Sequence, residues 1–143
     1  MKKKLKNAVI CICLTLLVGS GLADEQEGDE AHVYSMQTFK ISWSDIDSYL
    51  EYYDKEWMPL VKQNEFSLGH NIYQHAWGPD WTLLIVEEFE SMTGLAKAHE
   101  KYDELWRAKY PDAIDRNAAD KGFDKYIHGH FDAIVTEMPG YSK

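Results

Sequence analysis

The chain has 143 residues, 45% of them hydrophobic, 13% aromatic and 27% charged, an ordinary globular composition that excludes a fibre and a largely disordered chain. That length holds one domain with a small appendage and excludes a multidomain machine. The net charge of −9 speaks against nucleic acid as a partner, because neutralising phosphates takes clustered Lys and Arg.

The first segment reads as an address. Lys2, Lys3, Lys4 and Lys6 form a positive head, an apolar run follows from Ala8 to Val18, and Gly21-Leu22-Ala23 has the small-x-small pattern of a cleavage site. This is the layout of a secretory signal peptide over residues 1–23, with an uncleaved anchor as the competing reading. The run is shorter than the roughly 20 residues of a membrane-spanning helix, so no stable span is expected once it is removed. A lipoprotein fits less well, because Cys11 and Cys13 lie inside the apolar run rather than after it. Cleavage after Ala23 removes four Lys and no acid. It leaves 11 basic and 24 acidic residues, a net charge of −13. Both cysteines leave too, so the exported chain has neither a disulfide nor a thiolate, although its expected destination, the periplasm or the exterior, is oxidising. About 120 residues bury enough surface to fold without a covalent staple. Residues 24–32 read as an acidic disordered tether. A solvated spacer explains its charge more simply than a partner-binding tail does.

The domain is expected over residues 33–138, followed by a C-terminal tail, 139–143. Val33–Ile41 is rich in β-branched and aromatic residues and reads as a strand. Ser44 with Asp47 resembles a capping box. The helix after it carries Ile46, Tyr49, Leu50, Tyr53, Trp57, Leu60 and Val61 on one stripe. Pro59 predicts a break near Trp57. Residues 66–77 and 81–89 read as two strands of a hairpin, joined by the turn residues Gly78-Pro79-Asp80. Ser91 caps a second helix with Leu95, Ala98, Tyr102, Leu105 and Trp106 on one face. Pro111 opens a further helix to about Asp120, broken by Gly122. A last strand covers Phe131–Glu137. No repeat at solenoid periods is present.

The order β-α-β-β-α-β is the ferredoxin-like arrangement, an α+β fold with a four-stranded antiparallel sheet and the helices on one face. The first strand presents Val33, Phe39 and Ile41 on one face and Tyr34 and Met36 on the other. The third presents Leu83, Ile85 and Phe89 against Leu84 and Val86. A sheet apolar on both parities needs a partner for its uncovered face, and the economical partner is a second copy related by a two-fold axis.

This element order, the Tyr- and Trp-rich first helix and the HAWGPDW hairpin resemble the dimeric α/β-barrel superfamily. Within it the chain is most similar to small antibiotic-biosynthesis-monooxygenase-like bacterial proteins. The resemblance covers residues 33–138. It implies two sheets packed face to face in a homodimer, with a pocket between sheet and helices or inside the barrel. The superfamily includes cofactor-independent monooxygenases, haem-degrading enzymes, isomerases and pure binding proteins, so the fold does not choose the activity.

All six histidines lie beyond the signal. Asn71, Tyr73, His75 and Trp77 share one parity of the second strand, where His75 is a candidate proton acceptor and Tyr73, with Tyr34, an orienting group. The competing reading makes His75 and Trp77 an aromatic rim at the turn. The opposite parity, with His70, packs on the helices. Glu87 and Glu88 are adjacent in an apolar strand, so one should point inward, pair or take up a proton, and serve as a supporting carboxylate with a raised pKa. Alternatively the strand is leaving the core and both are solvated. Asn71, Trp77, Met36 and Trp57 are candidate lining for a flat apolar or aromatic ligand such as a quinone or polyketide-like ring. A core role for the aromatic residues competes with that. His128 and His130, about 7 Å apart if extended, are the nearest approach to a metal pair, but no third ligand is fixed and no metal is assigned. The Asn, Trp and His that the resemblance associates with haem degradation sit on different elements. Asn71, Trp77 or Trp81, and His75 fall on one hairpin, so no haem is assigned. Phosphate loops, nucleophile elbows and His-Glu-x-x-His are missing from the sequence.

Two readings of function follow. One is an exported homodimer that binds a small apolar or aromatic molecule and acts as a cofactor-independent monooxygenase- or isomerase-like enzyme through His75. The other is a non-catalytic periplasmic or secreted binding or stress protein using the same pocket. Docking of a basic protein on the acidic surface is a third.

Overall fold

The computed structural model describes residues 31–77, 81–138 and 140–141. The expected signal peptide, most of the tether and the Gly78-Pro79-Asp80 turn lie outside the described residues. Strand β1 is Val33–Ile41. A single 3-10 turn, Trp43–Asp45, leads into α1, Ile46–Glu56, and the short α2, Met58–Val61. Strands β2, Gly69–Gln74, and β3, Leu83–Phe89, form the hairpin. Helices α3, Met92–Lys109, and α4, Ala113–Asp124, precede β4, Ile127–Thr136. All neighbouring strands are antiparallel, in the order β2-β3-β1-β4. This is the expected ferredoxin-like α+β fold, with each helical segment doubled. Among the described residues no helix is long and apolar enough to cross a membrane.

Period-two alternation decides the sheet's two faces. Val33, Phe39, Ile41, Leu83, Ile85 and Phe89 are buried against the helices. Tyr34, Met36, Leu84 and Val86 lie on the other face and are half-buried. The covered side holds two clusters. One joins Phe39, Ile41, Leu83 and Ile85 to Ile46, Tyr49 and Tyr53 of α1. The other joins Val33 and Phe89 to Leu60, Leu95, Ala98 and Tyr102. Trp57, at the break between α1 and α2 that Pro59 predicts, packs against both.

Several local expectations are corrected. Ser44 lies inside the 3-10 turn, and Asp45 precedes α1 without a side-chain capping bond, so no capping box forms. Ser91 does cap α3, its Oγ accepting from Gly94 N at 3.1 Å. Helix α4 begins at Ala113 rather than Pro111, because Asp112 accepts from the Ile114 and Asp115 amides. It runs through Gly122 without a break. Strand β2 is shorter than residues 66–77 because Asn64 claims its near end. The Asn64 Oδ1 accepts from Phe66 N at 3.2 Å while its Nδ2 donates to the Ala98 carbonyl at 3.0 Å. His32, placed in the tether by the sequence, already belongs to the sheet margin: its carbonyl accepts from Glu137 N at 2.9 Å.

Two contacts position the helices. Tyr52 donates to the Ala119 carbonyl at 3.0 Å and meets Phe123 edge-on at 4.8 Å. A Cβ at position 122 would fall inside the Tyr52 ring, so Gly122 is the point of close approach between α1 and α4. Farther along, Glu56 is buried at the end of α1. Lys109 of α3 reaches its Oε2 at 2.7 Å, Lys55 its Oε1 at 3.2 Å, and the Tyr110 hydroxyl donates to it. Burial pushes this carboxyl up, but the Lys109, Tyr110 and Lys55 hydrogen bonds outweigh it and hold the group down at about 2.

Replacing Gly122 with Ala gains about 1 kcal/mol of helix propensity but displaces Tyr52, at a cost of about 1–3 kcal/mol for overpacking. The melting temperature should fall, and a rise would show that Tyr52 yields freely. For Glu56 the folded-state pKa is depressed. Its stabilisation is therefore complete above the ordinary carboxyl value of 4.5 and is lost as pH falls toward about 2. Glu56→Gln should flatten the acid limb of the stability–pH curve in that window. An unchanged limb would place acid sensitivity elsewhere.

Candidate functional site

The side chains singled out by sequence divide between the two faces and the end of the sheet. On the uncovered face three rows run across the strands. Tyr34 is paired with Glu88, and Glu88 with Gly69. Met36 is paired with Val86, and Val86 with Asn71. Thr38 is paired with Leu84, and Leu84 with Tyr73. This brings Tyr34, Met36, Asn71, Tyr73 and Glu88 together on one surface, as their shared parity implies. On β4 the same face continues through Phe131, Ala133 and Val135. Tyr73 is 50% exposed and Phe131 67%, which makes the face apolar and open.

His75, Trp77, Glu87 and Trp57 do not join that group. His75 lies beyond β2. Its ring stacks on Trp81 at 4.2 Å and its Nδ1 sits 2.8 Å from the Trp81 carbonyl. The carbonyl claims Nδ1, and the residue closes the hairpin. Thr82 completes this closure: its Oγ1 accepts from Ile41 N at 2.7 Å and donates to Phe39 O at 3.2 Å. Trp77 is 90% exposed. Trp57 is a core residue, 5.1 Å from Tyr102 and 5.9 Å from Trp106 between ring centroids.

The adjacent carboxylates part company. Glu88 faces the open side, where His32 Nδ1 lies 2.5 Å from its Oε1 and the Tyr34 hydroxyl 3.5 Å away. The hydrogen bond with Glu88 raises the His32 imidazole above its ordinary range. Glu87 faces the helices. Burial pushes its carboxyl up, yet the facing His70 imidazole and the Ser67 and Tyr102 hydroxyls hold it below the usual carboxylate range. The expected raised acid is therefore not found there; the pairing partners win over desolvation.

His70 is the residue that sequence reasoning passed over. It is paired across the hairpin with Glu87, and only 6% of its side chain is exposed against 13% for Glu87. Its Nε2 lies 3.1 Å from the Tyr53 hydroxyl. Its Nδ1 is buried without a hydrogen-bond partner among the described residues, 3.8 Å from Glu87 Oε2. That separation is ion-pair range but too long for a hydrogen bond. Tyr102 donates to Glu87 Oε1. Together Tyr53, His70, Glu87 and Tyr102 form a chain of titratable groups between sheet and helices. It can hold a proton, but it presents almost no surface to a visiting molecule. The signal for it was the inward parity of Glu87, which demands a partner on the neighbouring strand.

The two weak metal candidates do not converge. A register shift between Lys40 and Ile41 bulges the ladder beside His128. His128 Nε2 lies 3.1 Å from Ser42 Oγ, whereas His130 stacks on Phe39 at 4.6 Å and meets Asp132 at 2.7 Å. Among the described residues no group of three or more His, Cys, Asp or Glu gathers that could hold a metal ion.

The open face also carries a hollow. Thr38, Lys40, Trp81, Gly129, His130 and Phe131 line a shallow cavity of about 450 Å³ at the end of the sheet where the hairpin closes. Trp81 and Phe131 supply the aromatic side chains of the hollow, whereas His130, paired with Phe39 and stacked on its ring, turns its imidazole toward the covered face. None of the sequence-chosen ligand residues lines it.

No family model and no curated protein matches the chain. Solved structures match it in fold. A dimeric ferredoxin-like protein from an uncultured marine organism superposes with a TM-score of 0.60 at 16% identity, covering 81% of this chain and 95% of its own. An uncharacterized NIPSNAP domain protein from Burkholderia xenovorans gives 0.58 at 13% identity, covering 78% and 99%. A candidate monooxygenase from Shewanella loihica PV-4 gives 0.51 at 16%, covering 76% and 95%. At these identities the likeness is one of fold. The chain has the ferredoxin-like fold of these proteins.

The buried chain of groups can be tested by a double-mutant cycle. Tyr102→Phe should cost about 1–3 kcal/mol by leaving Glu87 short of a donor. Combining it with Glu87→Gln should cost less than the sum of the single changes, as read from urea unfolding midpoints. Strict additivity would show that the pair carries no coupling.

Proposed function

We propose that the chain is an exported, homodimeric α/β-barrel protein that binds a small, flat, mainly apolar molecule in the hollow of its open face. The observation that carries this reading is the cavity of about 450 Å³, walled by Trp81 and Phe131, on a sheet face that the helices leave uncovered. That volume is within the range of sites for small organic ligands. Pairing is supported by the apolar open face and by the description of a structural neighbour as dimeric. A second copy is the partner that removes such a face from water at no cost in new sequence. Export is supported by the Lys-rich head, the apolar run and Gly21-Leu22-Ala23.

Binding without catalysis is the better-supported form. Enzyme chemistry through His75 needs a base and its carboxylate beside one cavity. His75 does not line the hollow, Glu87 faces the helices, and Glu88 is engaged with His32 at the far end of the face.

The test is the native mass of the protein released from the periplasm of an expression host. A dimer of chains beginning at Asp24, carrying the added mass of a small organic molecule, is expected. Phe131→Glu should give a folded monomer with unchanged helix content. A bare monomer from the unaltered chain would overturn the reading.

A further inference from the structure

We infer that the molecule held in this hollow is an aromatic anion: a planar ring system bearing a carboxylate, phenolate or sulfonate, with Lys40 as its counter-charge. This rests on the binding reading above and adds the ligand's charge to it. Lys40 lies on the open-face parity of β1, opposite Gly129 of β4. Gly129 leaves the Lys40 stem against the strand: a Cβ at 129 would touch Lys40 Cβ at 3.5 Å and Cδ at 4.0 Å. The ammonium is exposed and forms no ion pair among the described residues.

The other polar walls are occupied. The Thr38 hydroxyl donates to the Phe131 carbonyl at 3.1 Å, and His130 Nε2 is held by Asp132 at 2.7 Å. Glu88, a carboxylate of the open face, is paired with Tyr34 in the ladder, six positions from Lys40 along β1. That is about 20 Å at the rise of an extended strand, and His32 Nδ1 is already its partner there at 2.5 Å. The open face is thus polarised along its strands. The acid end holds Glu88, partnered by His32, with Glu137 close by. The basic end carries an ammonium with no ion-pair partner among the described residues, beside the rings of Trp81 and Phe131, in a protein whose net charge is −9. A neutral ring would leave that ammonium to water, and a cationic ring would be repelled by it. An anionic ring fills the hollow with its faces and meets Lys40 with its charge.

The experiment compares two probes of similar ring size, anilinonaphthalene sulfonate and the uncharged phenylnaphthylamine, titrated into the full exported chain and read by probe fluorescence. The sulfonate should bind about tenfold more tightly, as one charge-assisted contact implies. Lys40→Gln should erase that preference, leave the neutral probe within about twofold of its original affinity, and leave the melting temperature unchanged. Equal binding of the two probes to the unaltered chain would overturn the anionic assignment while the ring-binding hollow stands. A preference that survives Lys40→Gln would overturn it too, because the charge would then be met elsewhere. Failure of both probes to bind the folded protein would instead remove the binding reading itself.

Discussion

A four-stranded sheet covered by helices on one side only imposes a single constraint on this chain. Every odd position of β1 and β3 must suit a dry layer, and every even position must suit a face that the chain leaves open. Glu87 and Glu88 show what the constraint does. They are neighbours with the same chemistry, and the backbone alternation sends them into different environments. Glu87 enters the helix layer and must be surrounded by hydroxyls and an imidazole to remain ionised. Glu88 stays at the wet margin and needs one partner, His32.

The covered side is built so that each polar group placed there is answered. Leaving a buried polar atom unanswered costs about 1–3 kcal/mol, as much as a well-packed methylene or two contributes. Glu56 ties the end of α1 to the end of α3 through Lys109 and Tyr110. Asn64 ties the end of α2 to the middle of α3. Thr82 extends the β1–β3 ladder by one residue with its own hydroxyl. These are joints between elements, and the apolar clusters fill the space between the joints. His70 Nδ1 is the exception. It faces the Glu87 carboxylate at 3.8 Å, beyond hydrogen-bond distance.

Much of this architecture was legible in the residues. Alternation in VYSMQTFKI and LLIVEEF assigned both faces correctly, Pro59 marked the break after α1, and Ser91 marked the start of α3. What was not legible depends on contacts between distant segments. Gly122 reads as a helix breaker by propensity, but it is retained inside α4 because Tyr52, 70 positions earlier, occupies the space where a side chain would be. The aromatic parity of residues 71–77 pointed to His75, but the strand ends at Gln74 and the ring turns onto Trp81. The hollow joins β1, the hairpin end and β4, which no local pattern brings together. His70 was legible in principle. An inward Glu87 requires a neighbour, and the inward position across from it is a histidine. Its helical partners, Tyr53 and Tyr102, could not be read that way.

The open face joins pairing and binding into one physical problem. Exposed, an ammonium such as Lys40 gains little from an anion, because water and salt screen the contact. Under a second sheet the same contact sits in a medium of lower polarity and strengthens, while Phe131 and Trp81 lose water from their faces. In the proposed dimer, pairing would therefore raise the value of the Lys40 charge without adding a residue. An anionic ring in turn offsets the cost of carrying that charge into the interface. The His32–Glu88 pair performs the equivalent compensation at the acid end from within the chain. A face with His32 answering Glu88 at one end and an exposed Lys40 at the other is asymmetric by construction, and that asymmetry is why the proposed ligand is assigned to the Lys40 end.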